Sequence, residues 1–190
     1  MFELVKRPIG LDDIADVRYL HSSAFQRNGA SFHTNEEISA YIERINSIDY
    51  VQECMNCSLH GLWHHTMLIG TAGWCPSNDN RNTARIRKVY VHNFYKGLGL
   101  GGKIIEDAEE RAKSAGFSQF SVRASAGSEL FFKSLGYCVT SHGALGLPKG
   151  SDIPVIYMRK NGLEANKSGE PFVWPESQDT KVEDVRIRAF

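Results

Sequence analysis

The passage that most constrains this chain of 190 residues is a β-prone run from Thr83 to Val91, a glycine-rich loop, and an amphipathic helical stretch. The loop reads Lys96, Gly97, Leu98, Gly99, Leu100, Gly101, Gly102, Lys103. Beyond it Ile104, Ile105, Ala108, Ala112 and Ala115 recur at helical spacing, so the helix buries one face and stops at Gly116. A second β-prone run, Phe117 to Arg123, follows at once. Two strands joined through a helix form a parallel crossover, which belongs in the middle of a larger sheet.

The flanking segments supply that sheet. Residues 2–9 read as a first strand, and Leu11, Ile14, Val17, Leu20 and Ala24 make a helical stripe behind Asp12 and Asp13. Thr34 and Glu37 form a capping-box pattern ahead of Ile38, Tyr41, Ile42 and Ile45. Ser58 to His65, Met67 to Cys75 and Thr83 to Val91, parted by turn-like residues, predict an antiparallel meander. After Arg123 come a short helix from Ala126 to Leu135 and strands at Tyr137 to Ser141 and Ile153 to Arg159. The fold class is therefore α/β (α+β), a mixed, mostly antiparallel central sheet flanked by helices. Residues 1–160 read as the domain, and 161–190, with Trp174 between Pro171 and Pro175, as a tail that adds an ordered patch or edge strand.

Composition narrows the function. Twenty-two Lys and Arg balance twenty-two Asp and Glu, so no overall field draws the chain to nucleic acid or anionic lipid. The longest apolar stretch, Met67 to Trp74, falls far short of the roughly 18 residues of a membrane span, and Met1 to Asp13 lacks a signal-peptide layout. A cytoplasmic protein is expected, with Cys54, Cys57, Cys75 and Cys138 as thiols. Cys54, Cys57, His60 and His64 have a compressed ligand-like spacing. The two histidines fall in a strand, about 13 Å apart at four residues, so no metal is expected.

Four glycines between a strand and a helix expose backbone N–H groups at the positive end of a helix dipole, which suits a phosphate. Gly97, Gly102 and Lys103 fit a nucleotide-triphosphate loop, yet Ile104 stands where a magnesium-binding Ser or Thr belongs. Gly97, Gly99 and Gly102 fit a dinucleotide fingerprint. The next strand ends without an acidic residue for a ribose, offering Arg123 to a 2′-phosphate instead, yet too few strands follow for a doubly wound sheet.

A third pattern covers about residues 2–159. Arg85 to Val91, then Lys96 to Gly101, Gly116, and Phe131-Phe132-Lys133-Ser134-Leu135-Gly136-Tyr137 together resemble the GNAT N-acetyltransferase superfamily. The resemblance implies that acetyl-CoA is the co-substrate and that Gly97, Gly99, Gly101 and Gly102 cradle its pyrophosphate. Lys96 takes the place of the family's Arg or Gln, with Leu98, Leu100 and Lys103 completing the loop. It also implies that Val89, Tyr90 and Val91 offer backbone groups to the pantetheine arm, and that Ser125 and Ser128 lie near the cofactor.

Acetyl transfer to an amine needs a neutral nitrogen, and an alkyl ammonium titrates near ~10.4. Many relatives place a Glu and a Tyr where this chain has Arg85 and Phe132, neither of which can act as base or acid. The catalytic groups are thus unknown from sequence. The family's acceptor loops correspond to Phe25 to His33 and Ser141 to Ile153, making Phe32, His33 and His142 the candidate substrate-binding residues. The expected partner is a small-molecule or peptide amine, with a homodimer left open. The rival is a noncatalytic acyl-CoA-binding sensor that kept the loop.

Overall fold

The computed structural model describes residues 4–78, 81–147 and 150–162. The strands are β1 (Leu4–Pro8), β2 (His60–His64), β3 (Met67–Pro76), β4 (Thr83–Val91), β5 (Gln119–Ser125), β6 (Cys138–Gly146) and β7 (Asp152–Asn161). They form one sheet in the order β1-β2-β3-β4-β5-β7-β6. All neighbours are antiparallel except β4 and β5, so the mixed, mostly antiparallel sheet expected from sequence is the one found. The helices are α1 (Ile14–Gly29), α2 (Asn35–Asn46), α3 (Ile48–Met55), α4 (Leu100–Ser114) and α5 (Glu129–Ser134).

The crossover helix α4 covers one face of the sheet. Its predicted stripe of Ile104, Ile105, Ala108 and Ala112 is buried against Ile69, Ile86, Phe120 and Val122. Ala108 and Ala112 are fully buried, so the helix backbone lies close to the strands, and a larger side chain there overpacks the core by about 1–3 kcal/mol. Glu109 shares this buried face and is satisfied by Tyr137 Oη at 2.8 Å and Lys160 Nζ at 2.7 Å. Helices α1 to α3 cover the other face, where Val17, Leu20, Ile45 and Tyr50 pack with Trp63 and Leu68.

A bulge in β4 decides which residues face which layer. Thr71 of β3 pairs with Tyr90 and Gly73 with Arg87, so Lys88 and Val89 together oppose Ala72. Lys88 takes the left-handed backbone region at φ 56°, which costs a non-glycine residue about 1–2 kcal/mol. Offsetting contacts hold it there: its carbonyl accepts from Thr71 Oγ1 at 2.7 Å, its ammonium meets Glu53 at 2.7 Å, and it sits 3.3 Å over the Tyr50 ring. The bulge reverses the strand's alternation. Val89 and Val91 pack on the α4 side, while Tyr90 joins the helical layer opposite. Strict alternation would have put Arg85 and Val91 on one face; the extra residue separates them.

Beyond Ile86 and Val122, β4 and β5 no longer pair. β4 continues to Val91 along β3 while β5 continues to Ser125 along β7, so a wedge opens between two parallel strands.

Two further expectations are corrected, and one helix is new. Leu11 does not join the helical stripe: it lies in a 3-10 turn at 11–13 and is largely exposed. An unforeseen helix, α3, is capped by Ser47 Oγ and buries only Tyr50 and Cys54, too short a stripe to read as periodicity. The segment 141–153 is mostly a β-hairpin and not a loop, because β6 runs to Gly146 paired with β7. Gly143 sits under the Tyr157 ring, where a Cβ would approach to 2.8 Å. The proposed edge strand and Trp174 lie outside the described residues.

Candidate active site

The wedge between β4 and β5 opens into two cavities. The larger, about 850 Å³, is bounded by the end of α1, the loop after it, the glycine loop, and the segment 125–132. Of the residues assigned to a cofactor from sequence, Val89, Tyr90, Val91, Lys96, Gly97, Gly99, Leu100, Gly101, Gly102, Ser125 and Ser128 line it. Leu98 and Lys103 do not; both are exposed on the outside of the loop and first helical turn. Phe32 and His33 also line the cavity. His142 does not, because the longer β6 carries it onto the exposed edge of the sheet, paired with Ile156.

The glycines do what the loop's chemistry requires. Gly97 and Gly99 adopt φ of 78° and 73°, and no other atom lies within 4 Å of where a Cβ would stand. Gly99 caps α4, whose first N–H groups have no carbonyl within the helix to reach. Lys96 Nζ bonds Asn28 Oδ1 across the cavity. Burial and then the nearby charge of Arg27 lower the Lys96 pKa, the mark of two cations gathered beside the glycine loop. Phe32 packs over Gly127, where a Cβ would come within 2.5 Å of its ring, so the α1–α2 loop rests on the opposite wall.

The smaller cavity, about 180 Å³, lies between α2, α3, β4, β5 and the β6–β7 hairpin. Phe25, Val89, Tyr90, Ser125, Ser128 and Phe132 line both cavities and form their junction. At the junction Ser125 Oγ and Ser128 Oγ are 2.8 Å apart, and Tyr90 Oη lies 3.1 Å from Tyr41 Oη. Burial raises the pKa of Tyr41, Tyr50 and Tyr90, so all three phenols are protonated near neutrality. Phe132 is buried against Phe131 and Tyr137, while the Tyr137 hydroxyl turns away to Glu109.

Behind Tyr90 lies a polar chain that sequence reading missed. His21, fully buried, stacks on Tyr90 with 4.0 Å between ring centroids. Its Nε2 lies 2.8 Å from Thr71 Oγ1, whose proton goes to the Lys88 carbonyl, so Nε2–H donates and Nδ1 accepts from Tyr50 Oη at 2.8 Å. Burial holds the His21 pKa well below its ordinary value, consistent with this neutral tautomer. Arg27, Asn28, Arg44, Glu53, Arg87 and Lys88 were likewise not foreseen as cavity residues, and Arg123 was read only as a partner for a dinucleotide's 2′-phosphate.

The compressed cysteine and histidine set does not assemble. Cys54 and Cys57 are in the apolar core, His60 Nδ1 lies 3.8 Å from Asp107, and His64 Nδ1 bonds Tyr95 Oη at 2.6 Å. Among the described residues no group of three His, Cys, Asp or Glu is placed to hold a metal, and no helix is long and apolar enough to cross a membrane.

Among known families, residues 25–159 match the acetyltransferase (GNAT) domain. The chain belongs to the GNAT acetyltransferase family. Solved structures agree on the fold. A GCN5-related N-acetyltransferase from Rhodopseudomonas palustris is 18% identical, with 85% of this chain and 98% of that one covered at a TM-score of 0.74. The PaiA N-acetyltransferase of Thermoplasma acidophilum, solved in complex with coenzyme A, is 17% identical, with 84% and 99% covered at 0.69. YncA of Salmonella typhimurium, solved with its cofactor acetyl-CoA, is 19% identical, with 88% and 97% covered at 0.56. No curated protein matches the chain in sequence. In this GNAT member the glycine loop, the bulged β4 and the wedge beside it fall within the matched residues.

Proposed function

We propose that the chain is an N-acetyltransferase that moves the acetyl group of acetyl-CoA to a small-molecule or peptide amine by direct attack in a ternary complex. The observation that carries this reading is the junction: two cavities of unequal size meet at six shared residues, and the larger ends in an anion-binding loop. Gly97, Gly99, Gly101 and Gly102 supply backbone donors for a pyrophosphate, with Lys96 and Arg27 as cations. The edge of β4 at Val89 to Val91, released from β5, offers backbone groups to an extended pantetheine arm. Every residue lining the two cavities falls within 1–160, the span to which we assign the activity.

Acetyl-CoA supplies the activated acyl group. The amine lone pair forms the C–N bond, the C–S bond breaks, and the proton lost by nitrogen ends on the departing sulfur or in water. A thiolate leaving near ~8.5 needs less proton help than an alkoxide or amide. The hydroxyls of Ser125, Ser128 and Tyr90 at the junction stabilise it by hydrogen bonding, in place of the missing Tyr. The Glu53 carboxylate is already engaged by Arg44, Arg87 and Lys88, whose charges outweigh burial and hold it below the usual range. The free thiols of Cys54 and Cys57, buried and unbridged, suit a reducing cytoplasm.

Buried Phe132 and the Arg85 on β4 favour a second reading, a noncatalytic acyl-CoA sensor. Release of free CoA thiol from acetyl-CoA with a panel of amines separates the two. The enzyme reading predicts amine-dependent thiol release; binding of acetyl-CoA with no release for any amine would leave the sensor.

A further inference from the structure

The smaller cavity carries a charge that the balanced composition hides. Arg44, Arg85, Arg87, Lys88 and Arg123 line it together with the carboxylate of Glu53, a surplus of four positive charges. Among the described residues no other Asp or Glu lines it. Glu53 is committed to three of the five: Oε1 meets Arg44, while Oε2 meets Arg87 at 2.9 Å and Lys88 at 2.7 Å. Of the other two, on the strands that flank the wedge, Arg85 lies 3.5 Å from Ser77 Oγ and Arg123 stands on β5 outside that cluster.

Arg123 is the more telling of the two. Its Nε is buried without a hydrogen-bond partner, and its guanidinium stands 5.6 Å from the Tyr157 ring centroid. Burial, with the charges of Arg85 and Arg87, pulls its pKa down. A buried, idle Nε donor on a half-buried guanidinium among like charges is stabilised by an oxyanion, which a planar fork engages through two parallel bonds. Arg123 also lies two residues before Ser125 on the same face of β5, so its backbone is about 6.6 Å from the junction. The cavity, at about 180 Å³, is smaller than those that take drug-sized ligands.

We propose that the acceptor is a small primary amine carrying an oxyanion, a carboxylate or phosphate, which Arg123 binds while the amine sits at the junction. The inference rests on the acetyltransferase reading for the role of the junction, while the charge selection concerns the cavity itself. The surplus works against polyamines and other polycations, which would meet five cations in a confined space.

The test sets anionic amines against neutral-chain analogues of the same size: alanine against alaninamide, phosphoethanolamine against ethanolamine, with 4-aminobutyrate to vary the amine-to-oxyanion spacing. Each is titrated by calorimetry into the protein with and without CoA, and turnover is followed in parallel as thiol release from acetyl-CoA. The expected result is tighter binding of the anionic member by about tenfold or more in at least one pair, falling towards parity in Arg123→Gln. Arg123→Lys, which keeps the charge and loses the fork, should fall between, and both variants must still bind acetyl-CoA. The two pairs also distinguish carboxylate from phosphate. Equal binding within both pairs, preference for the neutral member, or no binding by any compound would overturn the proposal. Anionic preference without thiol release would uphold the charge selection and instead remove the acetyl-transfer reading.

Discussion

His21 makes a testable case at the scale of single residues. A fully buried imidazole, donating to Thr71 and accepting from Tyr50, stays neutral in the folded chain, whereas the unfolded chain takes up a proton near pH ~6.5. Its contribution is therefore complete above that pH and is lost as pH falls below it, by up to about 1.4 kcal/mol per pH unit. His60, held low by burial and by Arg111, adds in the same direction. Asp13 and Asp107, whose pKa values are lowered, act at lower pH, near the carboxylate range. Urea midpoints between pH 7 and 5 should thus fall less steeply in His21→Gln than in the parent. An equal slope would show that His21 is not held neutral. None of this was legible in sequence, where His21 follows Leu20 as one polar residue on an amphipathic helix; only the register of α1 against β3 reveals its partners.

At the scale of elements, the features that rest on local chemistry were the legible ones. The capping box at Thr34 is present as read: Oγ1 accepts from the Glu37 N–H at 3.2 Å and the Glu37 carboxylate accepts from the Thr34 N–H at 2.8 Å. α2 brings Tyr41 and Arg44 to the smaller cavity, so its start matters to the site. Thr34→Ala should cost about 1 kcal/mol, seen as a lower urea midpoint at unchanged slope. The glycine loop was legible for the same reason, since positive φ and a free helix start are properties of a few neighbouring residues. Gly99→Val puts a β-branched residue at φ 73°, with about 1–2 kcal/mol of strain that the loop relieves by moving its N–H groups. Acetyl-CoA should then bind about tenfold more weakly, while circular dichroism stays unchanged. Undiminished affinity would remove the loop from the phosphate site. What escaped sequence reading were the bulge at Lys88, which reverses alternation midway along β4, and the β6–β7 hairpin, whose Gly143 serves a ring and not a turn.

For the whole molecule, the order of strands and the crossover fixed the architecture from sequence, because a strand, glycine loop and helix leave few ways to complete a sheet. The smaller cavity was illegible for the converse reason. Its charged residues come from positions 44, 53, 85, 87, 88 and 123, on four separate elements, and their surplus vanishes in a chain of net charge zero. Family membership, the wedge beside β4 and the paired cavities all converge on one claim, that the larger cavity takes acetyl-CoA.

A thermal titration of the chain with acetyl-CoA, run beside NADPH and Mg-ATP, tests that claim most directly. At ~100 times Kd the ligand should add about 2.7 kcal/mol of stability, a rise of roughly 5–10 °C for a domain of this size. Stabilisation by acetyl-CoA and not by the two nucleotides is the predicted result. No response to acetyl-CoA, or a larger response to either nucleotide, would contradict the account.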